Sequence, residues 1–319
     1  EVNKYIEEVT DKVMEYRDKP AILSWNLGNE TFNLLAENFS EPYLTKVRQA
    51  YVSMIENITI KIKSIDKQHP IFTGLYYTDE LASNLHLYRD LCPSIDYIGI
   101  NTYHISQLRK TDSIFKIADS DRKYFVSEFG GTGDEDSAYQ HFNSDKMILE
   151  WDDNKKSLNF QDQWNTITSA SNRCNGGIAF CWYDRFAGTA TLSGITDFRG
   201  RKKPAYYALQ KSFTGNQPEY SAAAFIVGPI FDLKPNMPYE FTARINDPSF
   251  SKLEWRLYSE DFKKEYPLIL SSGAKRIWLK VPAKNERFYL YVFAGDNKGN
   301  VITASKPIVS YKGVYNDDL

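Results

Sequence analysis

From residue 1 to about residue 214, short apolar runs alternate with longer stretches whose apolar residues recur every three or four positions. Few folds accept that rhythm: strand, covering helix and next strand must follow in order, which gives repeated βα units on a parallel sheet. Ala21 to Leu27, Ile71 to Leu75, Tyr97 to Asn101, Tyr124 to Ser127 and Ile178 to Trp182 read as strands. Between them, Tyr43 to Ile65 carries Val47, Tyr51, Met54, Ile55, Ile58 and Ile62 at helical spacing, and Leu81 to Leu91, Ser106 to Ile117 and Asp162 to Ser171 read as shorter helices. Pro204 to Phe213 closes the series as a helix with proline in its first turn, where the absent N–H has no intrahelical partner to lose. Five strands fall short of the eight that close a (β/α)8 barrel in roughly 250 residues. The expected class is therefore α/β of the (β/α)8 TIM-barrel type, with strands 4 to 8 visible and residues 1 to 18 forming the helix after strand 3. An open sheet edge is a liability. Either an upstream segment of the same protein supplies the first three units and completes the barrel, or the sheet closes in another way.

After Ser212-Phe213-Thr214-Gly215-Asn216-Gln217-Pro218 the texture changes to period-two alternation. Ala223 to Val227, Tyr239 to Ile245, Leu253 to Tyr258, Arg276 to Val281, Phe288 to Phe293 and Val301 to Ile308 read as strands separated by Gly273 and by Asp296-Asn297-Lys298-Gly299-Asn300. Two domains are expected: barrel residues 1–214, and a C-terminal all-β, immunoglobulin-like sandwich over 219–319. Alternation turns most of Trp255, Tyr258, Trp278, Tyr289 and Tyr291 toward the sandwich core, so a structural module is favoured over a sugar-binding one.

Composition excludes several classes. With 25% charged and 42% hydrophobic residues and mean hydropathy −0.49, the chain has the balance of a folded protein in water, with neither a disordered tract nor a membrane span. Net charge −2 gives a polyanion such as nucleic acid no attractive field. Cys92, Cys174 and Cys181 are odd in number and lack CxxC spacing, so no metal site and no disulfide framework is expected, and Cys181 reads as a small buried hydrophobe. Residues 1–9 form an amphipathic pattern and not a leader peptide.

Two strands end in a carboxylate. Glu30 closes Ser24-Trp25-Asn26-Leu27-Gly28-Asn29-Glu30, and Glu128 lies in Tyr124-Phe125-Val126-Ser127-Glu128-Phe129-Gly130. A carboxyl group at the C-terminal end of a parallel strand is held by the sheet yet opens onto the loops, where barrel enzymes do their chemistry. Positions 30 and 128 are 98 apart in the chain, about thirty-three residues per βα unit over three units.

Trp25-Asn26-Leu27-Gly28-Asn29-Glu30 resembles the acid/base motif of the clan A glycoside hydrolases, and Ser127-Glu128-Phe129-Gly130 resembles their nucleophile motif. Family 2 of those hydrolases is the nearest in flavour. The resemblance spans roughly residues 15–214 and extends to Asp96-Tyr97-Ile98-Gly99-Ile100-Asn101-Thr102-Tyr103, to Gly194-Ile195-Thr196-Asp197 and to Pro204-Ala205-Tyr206-Tyr207-Ala208-Leu209. It implies a retaining glycoside hydrolase that cleaves β-glycosidic bonds by double displacement, with Glu128 as nucleophile and Glu30 as acid/base about 5 to 5.5 Å apart. By the same resemblance Asn29 contacts the sugar 2-hydroxyl, Tyr103 orients the nucleophile, and Trp182 places an aromatic floor under the sugar. Asn101 and His104 complete the expected substrate-binding set. The implied partner is an oligosaccharide, polysaccharide or glycoside, no cofactor is implied, and the implied location is secreted or periplasmic. A transglycosylase on the same carboxylates, or a weakly active or inactive carbohydrate-binding protein with an incomplete barrel, is the alternative. Asp134 to Lys156 reads as a long acidic loop able to act as lid or subsite wall, and Asp184 with Arg185 as sugar contacts or a rim ion pair.

Overall fold

The computed structural model describes residues 2–131, 141–186, 188–216, 222–268, 273–282 and 286–310. In chain order the first elements are α1 (Val2–Tyr16), β1 (Trp25–Asn29), α2 (Thr31–Asn38), α3 (Tyr43–Ile65), β2 (Ile71–Tyr76), α4 (Leu81–Leu91), β3 (Tyr97–Asn101), α5 (Ile105–Ala118) and β4 (Lys123–Gly130). There follow β5 (His141–Phe142), β6 (Ile148–Leu149), α6 (Asp153–Thr168), β7 (Cys174–Phe180) and α7 (Pro204–Thr214). The fold divides into two compact units, Glu1–Phe129 with Gln163–Ala179, and Gly130–Asp162 with Phe180–Leu319.

The first unit is built on a five-stranded sheet in the order β1-β2-β3-β4-β7, with β1, β2, β3 and β4 paired in parallel. β2 is buried along nearly its whole length and β3 from Ile98 onward, as expected of parallel strands covered on both faces. β1 and β7, the outermost strands in that order, are only half-buried. α3 buries Val52, Ile55, Ile58, Thr59 and Ile62, one stripe at helical spacing, and they share a core with Ile71, Leu75, Ile98, Ile100, Leu81, Leu85 and Tyr88. α3 stops at Asp66, whose carboxylate accepts from the backbone N–H of Gln68 and His69 and from the Trp25 indole. Those bonds tie the loop before β2 to the start of β1. Burial pushes the Asp66 carboxyl up, but its several donors outweigh it and hold the group at about 2.

Boundaries moved where local signals competed. The Ala21 to Leu27 run is a strand only from Trp25, because a turn closed by Ile22 N–H to Lys19 O occupies its start and leaves Leu23 84% exposed. α6 begins nine residues before the expected Asp162, where the Asp152 side chain caps it by accepting from Lys155 N–H at 2.8 Å. β7 starts at Cys174 and ends at Phe180, its early half masked in sequence by Asn175-Gly176-Gly177. α2 had no counterpart among the expected helices. No helix among the described residues is long and apolar enough to cross a membrane.

The second unit contains two antiparallel sheets with a common core. β8 (Ala224–Val227), β9 (Pro238–Ile245), β10 (Lys252–Ser259), β11 (Glu265–Tyr266), β12 (Arg276–Lys280), β13 (Arg287–Gly295) and β14 (Val301–Val309) form the orders β11-β10-β13-β14 and β12-β9-β8. Ala224, Phe241, Ala243, Ile277 and Leu279 of the smaller sheet meet Trp255, Leu257, Leu290, Val292 and Ile302 of the larger. Of the five aromatics expected to turn mostly toward this core, only Trp255 does so; Tyr258, Tyr289 and Tyr291 are buried on the opposite face of the larger sheet, in a cluster with Met147 and Ala190, and Trp278 is 62% exposed.

The same unit buries a cluster of five charged side chains. Glu150, Asp153, Lys156, Asp184 and Lys203 have side chains at most 4% exposed. Lys203 Nζ donates to both Asp184 oxygens at 2.9 and 3.0 Å, and Lys156 Nζ and Lys203 Nζ both reach Thr191 O at 2.7 Å. Asp153 accepts from the N–H and hydroxyl of Thr303 on β14, and Glu150 accepts from the Tyr291 hydroxyl of β13. Asp184 is thus a buried ion-pair partner. The described part of the Asp134 to Lys156 segment is the β5–β6 pair and the start of α6, anchored to sandwich strands; Asp134, Glu135, Asp136 and Tyr139 lie outside the described residues. Cys181 is half-buried, with Sγ 3.0 Å from Tyr183 O.

Three carboxylates around two ammonium groups leave one negative charge in excess if all ionise. Burial raises the Asp184 carboxyl from 3.8 to about 6, while Asp184, Asp153 and Glu150 outweigh the effect of burial on Lys203 and keep it charged. Because that carboxyl is easier to protonate in the folded chain, its contribution to stability falls as pH rises from about 4 to about 6 and is flat above. Lys203→Met removes one ammonium from the cluster. Urea unfolding of this variant at pH 7.5 is expected to show a loss of about 3–5 kcal/mol, with a smaller deficit at pH 5, where Asp184 takes up a proton; equal deficits at both pH values would contradict the assignment.

Candidate active site

Both strands that carry the candidate carboxylates contain one extra residue just before them. β1 pairs Asn26 with Phe72 and Asn29 with Gly74, three residues against two, and β4 pairs Phe125 with Gly99 and Glu128 with Asn101 in the same ratio. Such bulges re-aim the side chains that follow, because a one-residue offset moves a side chain to the other face of the sheet. On β1 the bulge spans Leu27-Gly28, and a Cβ on Gly28 would sit 2.3 Å from Tyr51 Oη. On β4 it spans Val126-Ser127.

Glu30 follows β1 directly and precedes α2. Its backbone is left-handed, φ 54 and ψ 24, held by Glu30 N–H to Gly74 O at 2.9 Å and by Asn33 N–H to Glu30 O at 3.0 Å. That conformation costs a residue with a β-carbon about 1–2 kcal/mol and is unusual for glutamate. Strain of this kind concentrates at working sites, where the surrounding structure holds it in place.

Asn101, at the end of β3, is fully buried and joins the parts. Its Nδ2 donates to Glu30 Oε1 at 2.7 Å and to Asn29 Oδ1 at 3.0 Å, while its Oδ1 accepts from Ser127 Oγ at 2.6 Å. Its backbone lies opposite Glu128 across the β3–β4 ladder, and the next residue, Thr102, donates N–H to Glu128 O at 3.0 Å. Tyr103 then turns its hydroxyl onto Glu128 Oε2, and Gln163 Nε2 steadies the Tyr103 carbonyl from α6 at 3.1 Å. Glu30 and Glu128 are both half-buried, and Asn29 is exposed.

Asn29, Glu30, Asn101, Tyr103 and Glu128 therefore converge in the first unit. His104 is only 4% exposed and serves α5, its carbonyl accepting from Gln107 and Leu108 N–H. Trp182 belongs to the second unit, two residues past β7, and is 55% exposed. Its carbonyl accepts from Thr196 N–H and Oγ1, and its ring meets Tyr206 edge-on at 6.0 Å. Among the described residues no cluster of His, Cys, Asp and Glu is arranged to hold a metal ion.

Ser127 and Gly74 are parts of the constellation that sequence reasoning did not single out. Gly74 interrupts an otherwise bulky strand, a signal of close approach. A Cβ there would lie 2.5 Å from Asn29 Oδ1, so the absent side chain is what seats the Asn29 amide against Asn101. Gly74→Ala should displace Asn29 and lower stability by about 1–3 kcal/mol in urea titration; an unchanged midpoint would show that the amide does not depend on this space.

No protein-family profile matches the chain, and no curated protein matches it. Solved structures do. β-Glucuronidase 2 of Bacteroides uniformis, covalently bound to cyclophellitol-6-carboxylate aziridine, superposes with a TM-score of 0.55 at 12% identity, over 98% of this chain and 37% of that one. A Bacteroides uniformis β-glucuronidase gives 0.53 at 12% identity over the same shares. The chain is thus similar in fold to these glycoside hydrolases and spans a little over a third of their length, at 37%.

Proposed function

We propose that this chain carries the reacting carboxylates of a retaining glycoside hydrolase that cleaves β-glycosidic bonds by double displacement. The observation that carries the reading is the shared buried amide: Asn101 bonds Glu30 through its side chain and lies opposite Glu128 through its backbone. Two carboxylates at one end of a parallel sheet, each just after a bulge, fit a reaction that needs both on one sugar carbon. The reading takes the five-stranded sheet as part of a (β/α)8 barrel, with its remaining strands supplied by another segment of the same protein.

Glu128 attacks the anomeric carbon as a carboxylate, the bond to the leaving oxygen breaks, and Glu30 gives that oxygen its proton. Glu128 is then an ester and uncharged. Glu30, now a carboxylate, takes a proton from water as the water oxygen attacks the same carbon, and the ester bond breaks to return Glu128. The Tyr103 hydroxyl fixes the rotation of the Glu128 carboxylate throughout. Asn29 has its oxygen committed to Asn101, which leaves its exposed NH2 group to donate to the sugar 2-hydroxyl. Attack without an intervening water requires about 5 to 5.5 Å between the carboxyl groups.

Turnover of activated aryl β-glycosides, followed by release of the aryl alcohol, tests the proposal. Glu128→Gln is expected to abolish it, and Glu30→Ala to stall the second half-reaction and regain rate with added azide. Wild-type rates in Glu128→Gln would reject the reading. With excess acceptor sugar, free sugar as the main product marks a hydrolase, and longer oligosaccharides a transglycosylase.

A further inference from the structure

The Asn101 amide has a definite orientation, and its hydrogen bonds say what sets it. Glu30 as a carboxylate can only accept, so the NH2 end of the amide faces it, and the carbonyl end faces Ser127. An amide oxygen can only accept as well. Ser127 Oγ is therefore the donor, at 2.6 Å. The two amide protons are fully used, on Glu30 Oε1 and Asn29 Oδ1, and Asn101 is 0% exposed, so water has no ready route to replace any of the three partners. A reversed amide would set carbonyl oxygen against the Glu30 carboxylate and the Asn29 carbonyl.

Ser127 reaches this position through two features already described. The bulge in β4 inserts it between Phe125 and Glu128, and Gly99 on the neighbouring strand leaves space for it, since a Cβ there would lie 2.6 Å from Ser127 Oγ and 2.8 Å from its Cβ.

We infer that Ser127 is a positioning residue for the acid step: by donating to Asn101 Oδ1 it locks the amide that occupies Glu30 Oε1, so that the transferable proton sits on Glu30 Oε2. This rests on the hydrolase reading above and adds to it a division of labour within one strand, since Ser127 serves the acid on β1 while its neighbour Glu128 is the nucleophile. The proton balance is simple. Oε1 accepts from Asn101 in both protonation states of Glu30, and only Oε2 gains or loses a proton.

A lock on the acid has a signature that general damage lacks. Leaving groups such as 2,4-dinitrophenolate depart with little protonation, whereas phenolate needs the proton. Steady-state kcat/KM is to be compared for dinitrophenyl and phenyl β-glycosides of a sugar that the wild type turns over, in wild type, Ser127→Ala and Asn101→Asp. Both variants are expected to lose at least about tenfold more on the phenyl than on the dinitrophenyl substrate, given the usual 10²–10⁴-fold share of general acid catalysis. Asn101→Asp reports on the relay independently of the β4 backbone, because it keeps an acceptor for Ser127 and replaces the amide that faces Glu30 with a second carboxyl group. Equal losses on the two substrates, or no loss on either, would overturn the inference. Glu128→Gln run alongside separates the two levels: if it is inactive the hydrolase reading stands whatever Ser127 does, and if it retains wild-type rates that reading fails first.

Discussion

A single buried amide holds the candidate site together. Asn101 has no contact with solvent, and its three polar bonds run to Glu30, Asn29 and Ser127, side chains drawn from both strands that carry a carboxylate. An unsatisfied donor or acceptor at such a position costs about 1–3 kcal/mol, so the amide enforces the relative placement of its partners as strongly as they enforce its own. The strained backbone of Glu30 and the two bulges are local departures from regular geometry, and each directs a side chain toward this group. Regular strands would have kept the hydrogen-bond ladder intact and turned the carboxylates elsewhere.

Much of the framework was legible in the sequence. Tyr43–Ile65, Leu81–Leu91 and Tyr97–Asn101 fall where apolar periodicity places them, and the six long sandwich strands lie within two residues of their expected bounds at each end. Those segments bury one face or both, so hydrophobic patterning carries their information. The misplaced ends are governed by single polar groups or by backbone conformation: the turn at Lys19, the cap at Asp152 and the glycines of β7. Side-chain periodicity is silent about such features.

The site divides in the same way. Glu30, Asn29, Glu128, Asn101 and Tyr103 were expected from chain position and motif; in the first unit hydrogen bonds join Asn101 to Asn29 and Glu30 and Tyr103 to Glu128, and strand pairing sets Asn101 opposite Glu128. The role of Ser127 depends on a bulge, and that of Gly74 on atoms of the next strand, so neither follows from local sequence. His104, also among the expected substrate-binding residues, is buried at the start of α5. In the second unit, Glu150 and Asp153 belong to a segment that reads in sequence as an acidic loop, yet their side chains are buried, where Lys156, Thr303 and Tyr291 satisfy them. Charge patterning alone does not reveal Tyr291 and Thr303, partners that lie 141 and 150 residues away.

The central claim is that Glu128 forms a bond to sugar carbon. Incubation with a 2-deoxy-2-fluoro β-glycoside bearing a good leaving group, followed by proteolysis and mass spectrometry, tests this directly, because the fluorine slows both steps while the good leaving group restores only the first, so the ester accumulates. The account predicts one added fluorosugar on the peptide that contains Glu128, in an ester released by mild base. A stable label on Glu30 or any other residue, with Glu128 unmodified, would contradict it.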